Sequence, residues 1–552
     1  MRRQHTQRIS RRKVLAGGAA GTSLLLAGCT GGGDGGDGSD GSDGSDGSDG
    51  SDGSDGGDGG SAPTLYFSQA KGPLDMDPIV VNDVPSAQIT GQLFDGLYEY
   101  GDGVGIEPKI AADMPTVERE GTRFIVPIRE DAEFQNGDPV TAEDVVHTML
   151  APVEEQTENA PEVNMIDSGE VVDETTAQFD LSYPYGAFTI AMVRSVVNAS
   201  VRQEDTEAYN QNPVGSGPFQ LVEWEPEDYA TVERWDDYWD GDNLPEIGTI
   251  EFDPIEEQTT RVTELETGNV DVIETIPPQL YETVEGNQNA SITETPGVGY
   301  FYLAFNCANG PTSDPLVREA VDYCFSMDQA VENFVEPSGV RQYAPYPSSI
   351  SEEWDFPVDE WSEISHGQDL EEARALFDEA GIGMDYNWRI IVPPDDKREQ
   401  IGISIGDGLQ NAGFENVQVQ RLDWGTFTEA YQSDDGPNSA DEYNMYTLGW
   451  SGAPDPDAFV YNLLSQETNG VTNGTFHGYD EASEKLSQAR ESADREERRR
   501  LYIEATTTLL EERVHIPAYN LNNSYGVRNV VEGFSAHPIS SEIQLTGATV
   551  NR

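Results

Sequence analysis

Cysteine is scarce in this chain, which limits how the fold can be held together. Of 552 residues, only Cys29, Cys307 and Cys324 are cysteines, so a disulfide framework is excluded. Cys324 occupies an apolar-facing position of an expected helix, next to Phe325. This pattern favours a buried free thiol, and a single bridge to Cys307 is the alternative.

Lysine is also scarce, and acidic residues greatly outnumber basic ones. The chain has 31 Lys and Arg against 102 Asp and Glu, a formal net charge of -71. A surface this negative repels nucleic acid and anionic lipid, and only salt relieves its self-repulsion. The 8 Trp, 23 Tyr and 19 Phe residues argue against an acidic disordered chain. We therefore expect a folded protein that works at high salt and binds no nucleic acid; the composition resembles secreted proteins of halophilic archaea.

Patterns typical of catalysis are missing too. The six histidines show no paired metal-ligand spacing, and no Walker loop occurs. Residues 449–453 look like a nucleophile elbow around Ser451, but the final Gly is absent and prolines follow. The sequence predicts no enzymatic activity, no metal and no cofactor. The alternative classes are a secreted surface hydrolase and a structural cell-surface protein, and the second would show internal repeats that the body lacks.

The first 63 residues indicate export and anchoring. Residues 1–28 combine paired arginines with a short apolar run, the pattern of a secretory signal. The arginines resemble a twin-arginine signal, and residues 26–29 resemble a lipobox that would make Cys29 the lipidated first residue. Residues 29–63 are mostly Gly, Ser and Asp and predict a disordered tether with a span of roughly 30 Å. We expect a body anchored by lipid at the extracellular face of the cell membrane.

One stretch of the body, residues 212–239, has the most specific pattern. Its Pro and Gly residues form a turn before two alternating segments, 219–224 and 230–234, which predict a β-hairpin closed by aromatic residues. The residue order resembles the Gly-Thr-Gly-Pro turn and Tyr-Trp tail of solute-binding proteins that serve peptide/nickel-type ABC importers (family 5). A second run, 124–146, resembles another signature of that family and predicts a strand, a turn and a helix that begins after Thr141.

Helices and strands alternate over the rest of the chain. A strand at 64–68 opens the body, and a helix follows from Ser86, its expected N-cap, to Gly96. After a continuously apolar strand at 300–306, the alternation predicts an α/β domain. Its expected segments are helices 370–380, 399–412, 426–432 and 494–512, and strands 387–392, 417–422 and 443–449.

The family resemblance implies an architecture. The expected fold class is α/β, a two-lobed periplasmic-binding-protein-like fold of type II with an extra subdomain in lobe I and a ligand cleft between the lobes. Lobe I is expected at residues 64–296, lobe II at 297–518, and a C-terminal return to lobe I at 519–552. The implied function is capture of a small-molecule or peptide ligand outside the cell and its delivery to ABC permease and ATPase subunits. We expect a monomer without an ATP site.

The resemblance also implies ligand-binding residues. Peptide-binding members have a Gly-Trp-x-x-Asp run whose Asp pairs with the ligand's amino group; here Ala453 stands at that position, in a run one residue shorter. Either this selector is absent or Asp455 has taken its place. We therefore expect that α-amino peptides are not the preferred ligands, and that a neutral or non-peptide solute such as an oligosaccharide is an alternative. For Trp424 and Trp450, the alternative to ligand binding is a place in the core of lobe II. The full set of expected ligand-binding residues is Ser68, Gln69, Trp424, Trp450, Ser451 and Asp455.

Overall fold

The computed structural model describes residues 62–432, 441–545 and 547–552. The expected signal peptide, Cys29 and nearly all of the tether fall within residues 1–61, outside the described residues. Across the described ranges, no helix combines the length and the apolar character that crossing a membrane requires.

The strands of the described residues fall into two groups, before and after residue 297. Those before it are β1 (Thr64–Gln69), β2 (Tyr98–Tyr100), β3 (Ile106–Pro108), β4 (Thr116–Glu118), β5 (Arg123–Pro127), β6 (Ile166–Asp173), β7 (Thr176–Leu181), β8 (Phe219–Glu225), β9 (Tyr229–Arg234), β10 (Thr249–Pro254), β11 (Val272–Glu274) and β12 (Ala290–Pro296). Those after it are β13 (Gly299–Phe305), β14 (Gly339–Arg341), β15 (Asn387–Val392), β16 (Asn416–Arg421), β17 (Met445–Ser451), β18 (His515–Arg528), β19 (Val531–Glu532) and β20 (Thr549–Val550).

The α-helices divide at the same point. Those before it are Val84–Leu93, Ala142–Glu155, Ala160–Val163, Phe188–Ala191, Ala199–Glu204, Thr206–Gln211, Gln258–Thr267 and Tyr281–Glu285. Those after it are Pro315–Asp322, Met327–Phe334, Ser348–Glu353, Val358–Ser362, Leu370–Glu379, Asp396–Ala412, Trp424–Tyr431, Asn462–Leu464, Asp480–Glu491 and Arg495–Glu511. β15 has the predicted bounds, and the other predicted helices and strands after residue 370 differ from the observed ones by at most three residues at either end.

One mixed sheet runs through both lobes. Its strand order is β16-β15-β17-β13-β18-β11-β1-β10-β9-β8, and β12 and β14 also pair with β18. A separate four-stranded sheet, β4-β5-β7-β6, forms a subdomain of lobe I, in which Phe124 packs edge to face on Phe188 with ring centroids 4.8 Å apart. The expected α/β class, with two lobes and an extra subdomain, is confirmed.

Two chain crossings join the lobes. Two residues separate β12 from β13, while the long strand β18 pairs with β13 through residues 515–519 and with β12 through residues 522–528. At the crossing, the backbone N–H of Gly297 donates to the Leu521 carbonyl at 2.8 Å, and the side-chain amide of Asn520 donates to the Gly297 carbonyl at 2.7 Å. Paired crossings of this kind form a hinge about which two lobes can close.

The first helix of lobe I, Val84–Leu93, begins earlier than the sequence predicted. Its N-cap is Asp83, whose Oδ1 accepts the backbone N–H of Ser86 at 2.9 Å, and Pro85 lies in the first turn, where a missing N–H is tolerated. The prediction of Ser86 as N-cap is wrong. Its Oγ accepts the backbone N–H of Leu74 at 2.8 Å, a tertiary contact that local sequence could not show.

Both sequence signatures meet at the C-terminal end of this helix. The backbone N–H of Gly217 donates to the Leu93 carbonyl at 2.9 Å. A Cβ on Gly215 would lie 1.8 Å from the same oxygen, so glycine is required for this approach. Gln135, from the second signature, donates to that oxygen through Nε2 at 3.2 Å. The signatures are therefore explained by packing within lobe I.

The Tyr-Trp tail of the first signature donates hydrogen bonds to a buried cluster of charged residues around Asp95 and Lys109. The Tyr238 hydroxyl donates to Asp95 Oδ1 at 2.9 Å, and Trp239 Nε1 donates to Asp95 Oδ2 at 2.8 Å. Lys109 Nζ lies 5.8 and 5.6 Å from the centroids of these two rings. Burial raises the pKa of Asp95 to about 7 although Lys109 and both aromatic donors lower it.

Both cysteines of the body are free thiols. Cys324 is fully buried, as its helical position predicted, and its Sγ donates to the Ala320 carbonyl at 3.3 Å. Burial raises the pKa of this thiol to about 12. The bridge to Cys307, which the sequence left open, does not form.

Candidate functional site

The carboxyl ends of the parallel strands in both lobes are directed toward the crossing. In lobe I, β1 is parallel to β10 and β11, and β11 ends at Glu274, opposite Tyr525 of β18. In lobe II, β15 is parallel to β16 and β17, and β17 ends at Ser451, opposite Gly299 beside the crossing. Open α/β sheets bind ligands at the carboxyl ends of their strands, and small-molecule sites favour clefts between domains. The space between these two edges is the candidate ligand cleft.

Ser68 and Gln69 end strand β1 on the lobe I side of the cleft. Both are fully buried, and within the described ranges Ser68 Oγ and Gln69 Oε1 have no hydrogen-bond partner. Gln69 Nε2 donates to Gln88 Oε1 at 2.7 Å, and Gln88 Nε2 donates to Glu274 Oε2 at 2.8 Å. A buried polar atom without a partner costs about 1–3 kcal/mol. This face of lobe I therefore has oxygen atoms that a ligand donor could satisfy.

Trp450 and Ser451 end strand β17 on the lobe II side. Both are partly exposed, and Trp450 packs against the lobe II core while its Nε1 donates to the Ala458 carbonyl at 2.8 Å. Ser451 lies in the antiparallel ladder, and residues 452–456 separate it from the helical turn that begins at Asp457. A nucleophile elbow places its serine directly at a strand-to-helix turn. The backbone around Ser451 does not have that geometry.

A buried cation that the sequence analysis did not single out lies beside Trp424. Arg398 is 4% exposed, and its guanidinium carbon lies 5.2 Å from the Trp424 ring centroid and 5.6 Å from that of Phe301. Its Nε is 3.2 Å from Asp395 Oδ1, and its Nη1 has no hydrogen-bond partner in the part of the chain that the structure describes. Trp424 is 45% exposed, so the alternative that it is a core residue is wrong.

Asp455, the predicted substitute for the amine-pairing Asp, is bound by an arginine. Arg498 Nη2 donates to Asp455 Oδ1 at 2.5 Å, and the two side chains are 5% and 6% exposed. The next acid, Asp457, pairs with Arg490 at 2.9 Å. A ligand amine at Asp455 would have to share or displace Arg498, so the role of Asp455 stays a prediction.

The same two arginines join lobe II to lobe I. Arg498 Nη1 donates to the Gly186 carbonyl at 3.1 Å, and the Gly186 N–H donates to the Arg490 carbonyl at 2.8 Å. A Cβ on Gly186 would lie 1.9 Å from the Ser492 carbonyl oxygen, so glycine is required here as well. Arg490 also lies 5.1 Å from the ring centroid of Tyr185. The cleft is therefore bounded by the crossing and by this second contact between the lobes.

Known proteins resemble the chain over most of its length. Residues 105–470 match the model of a family described as bacterial extracellular solute-binding proteins, family 5 Middle. The chain is 25% identical over 480 residues to the oligopeptide-binding protein AppA of Bacillus subtilis, which covers 83% of this chain and 86% of that protein. It is 24% identical over 453 residues to the glutathione-binding protein GsiB of Escherichia coli strain K12, covering 80% of this chain and 86% of that protein. The solved structure of HbpA2 from Haemophilus parasuis has the same fold, with a TM-score of 0.77, 21% identity, and coverage of 89% of this chain and 100% of that chain.

Proposed function

The chain belongs to family 5 of the bacterial extracellular solute-binding proteins, and we propose that it holds its solute between the oxygen-lined face of lobe I and the Arg398 face of lobe II. As the solute-binding subunit of an ABC importer, it delivers a captured solute to the membrane permease. Binding and release, rather than chemical conversion of the solute, are the activity that this family performs.

The Nη1 group of Arg398, which has no hydrogen-bond partner among the described residues, carries the proposal. A buried cation with an unsatisfied N–H forms a strong, charge-assisted hydrogen bond when a ligand oxygen reaches it. On the opposite face, Ser68 and Gln69 have side-chain oxygens without a partner among the described residues, so the complementary ligand has an acceptor group at lobe II and a donor group at lobe I. Trp424 and Trp450 would cover its apolar parts. A short peptide meets this description, and an oligosaccharide, with hydroxyl groups that both donate and accept, is the alternative that Ala453 favours.

Closure of the cleft tests this function. We expect small-angle scattering of the purified protein to show a smaller radius of gyration with its solute, because a ligand that bonds both faces draws the lobes together about the hinge. The titrations use a di- to pentapeptide mixture and, separately, short oligosaccharides, with calorimetry on the same samples and glycerol as a control. If neither class produces heat or compaction, the proposed cleft is not the solute site.

We also propose that Cys29 anchors the protein by lipid at the extracellular face of the membrane. The support is the lipobox-like run at 26–29 and the Gly/Ser/Asp segment that follows it. Export through the twin-arginine route, operation at high salt and a monomeric state rest on sequence grounds in the same way.

The anchor proposal predicts where a cysteine variant is found. Cys29→Ser should release the folded protein into the medium, because the proposed lipid is carried by this one thiol. Cys307→Ser is the matched control and should remain with the membrane fraction. Quantitative immunoblots of cells and medium measure both, and retention of Cys29→Ser with the cells would refute the anchor.

A further inference from the structure

Four asparagines of the chain lie in Asn-X-Ser/Thr sequons, the pattern that N-linked glycosylation requires when X is not proline. They are Asn198, Asn289, Asn473 and Asn522. The proposed twin-arginine route exports proteins that have already folded, so a transferase outside the cell meets the folded surface. A sequon can then accept a glycan only where the fold exposes both of its side chains, and the structure distinguishes the four on this point.

Two of the sequons are closed because the asparagine itself is buried. Asn198 is 2% exposed, and its Oδ1 accepts the backbone N–H of Val201 at 3.1 Å as the N-cap of the following helix. Asn473 is 1% exposed, and its Nδ2 donates to the Ser465 carbonyl at 3.0 Å. A glycan on either Nδ2 would require this part of the fold to open.

The sequon at Asn522 lies in the crossing strand β18, where both of its side chains are engaged. Asn522 Nδ2 donates to the Pro337 carbonyl at 3.3 Å. Its partner Ser524 is buried, and Ser524 Oγ accepts the backbone N–H of Ile276 at 3.2 Å. The ladder places Asn522 opposite Pro296, directly beside the hinge. The fold therefore closes this sequon as well.

The sequon at Asn289 is open, since Asn289 and Ser291 are both exposed. Asn289 lies in the turn that precedes β12, whose first residue is Ala290. The backbone N–H of Asn289 donates to Asn287 Oδ1 at 2.9 Å, and its carbonyl accepts the backbone N–H of Asn529 at 2.8 Å. These bonds hold the turn through its backbone and leave the side-chain amide at the surface.

We propose that Asn289 is a site of N-linked glycosylation. The donor is an oligosaccharide whose anomeric carbon, C1, is joined to a phosphate group. Nδ2 of Asn289 forms a bond to C1 while the C1–O bond to phosphate breaks; the phosphate leaves with the electron pair, and Nδ2 loses one proton. The exposed hydroxyl of Ser291 is the second group by which a transferase recognises the sequon.

The site lies away from the solute cleft. β12 runs from Ala290 to Pro296 at the crossing, and at about 3.3 Å per residue its two ends are roughly 20 Å apart. A glycan at the start of β12 therefore leaves the hinge free to move. The inference depends on the proposed export of the protein and not on the position or identity of its solute.

Mass spectrometry of the protein purified from the cells that naturally produce it tests the site. Peptides that contain Asn289 should carry a glycan, and those that contain the other three sequons should have their unmodified masses. Asn289→Gln should lower the intact mass by one glycan. Ser291→Ala should do the same, because it removes the sequon but keeps the asparagine. Ser291→Thr preserves the sequon, so this matched control should retain the glycan.

The outcomes separate this proposal from the proposed function. An unmodified Asn289, a glycan on Asn198, Asn473 or Asn522, or a glycan that persists in Ser291→Ala would overturn it. Circular dichroism should show all three variants folded like the parent, because the substituted side chains are exposed. Scattering and calorimetry with peptides or oligosaccharides would still decide whether the solute cleft is correct.

Discussion

Replacement of Lys109 by methionine is expected to lower the free energy of unfolding by about 3–5 kcal/mol, the usual effect of removing one partner from a buried ion pair. Lys109 Nζ lies 2.9 Å from Asp240, 3.6 Å from Glu99 and 4.0 Å from Asp95, and its side chain is 9% exposed. Methionine keeps the apolar stem against the aromatic rings but leaves the carboxylates without their cation. Urea denaturation in a constant high-salt buffer measures the loss.

The pH dependence of that loss follows from Asp95. Its folded-state pKa is about 7, above the ordinary value of 3.8, so its contribution to stability decreases as pH rises through this interval. Without the positive charge of Lys109, the pKa of Asp95 rises further. At low pH Asp95 is then protonated, which removes one of the negative charges that Lys109 had neutralised. The variant should therefore lose less stability at pH 6 than at pH 8. Lys71→Met, at an exposed lysine, is the control, and an equal effect of both substitutions would contradict the role of the cluster.

Replacement of Arg398 by methionine is expected to weaken solute binding by about 100-fold. Truncation of one partner in a buried, charge-assisted contact typically costs 2–5 kcal/mol or more, roughly 30-fold upward. Nη1 of Arg398 has no hydrogen-bond partner among the described residues, so its loss should weaken binding; because Nε pairs with Asp395 at 3.2 Å, the substitution should lower the stability of the fold as well. Calorimetry with the solute that mass spectrometry finds in the purified protein measures it, and the melting temperature reports on the fold.

An arginine on the outer surface provides the matched control for Arg398. Arg421 pairs with Asp396 at 2.8 Å and with Glu399 at 2.7 Å, and its side chain is 39% exposed. Exposed pairs contribute about 0–1 kcal/mol, so Arg421→Met should bind the solute like the parent protein. If Arg398→Met and Arg421→Met bind equally well, Arg398 is a structural residue and the acceptor end of the ligand lies elsewhere.

Much of the architecture was predictable because it follows from short-range patterns. Alternation with a period of two identified the hairpin at 219–234, and β15 has the bounds that its apolar run predicted. The helix after Thr141 begins as expected, where the backbone N–H of Thr141 donates to Asp144 Oδ2 at 2.9 Å. Such contacts join residues two to four apart, so the sequence by itself contains both partners.

The roles of the signature residues depended on the tertiary structure. The order of residues 212–239 indicated a family, but the need for glycine at Gly215 arises from the Leu93 carbonyl, which the chain reaches 122 residues earlier. The same holds for Asp95, which receives hydrogen bonds from the tail of that signature. The local sequence determined that a hairpin forms, and long-range packing determined that the turn before it contacts the helix Val84–Leu93.

The residues of the cleft were the least predictable part. In the sequence, Arg398 cannot be told from any other arginine in the first turn of a helix; only the tertiary structure places its guanidinium beside the rings of Trp424 and Phe301. Asp455 and Arg498 are 43 positions apart, and the local sequence around either residue gives no indication that the two pair. The sequence alone determined the α/β class and the family. The tertiary structure decided which polar groups of the described residues are paired and which are not, because β18 and the sheet order bring together residues that are hundreds of positions apart.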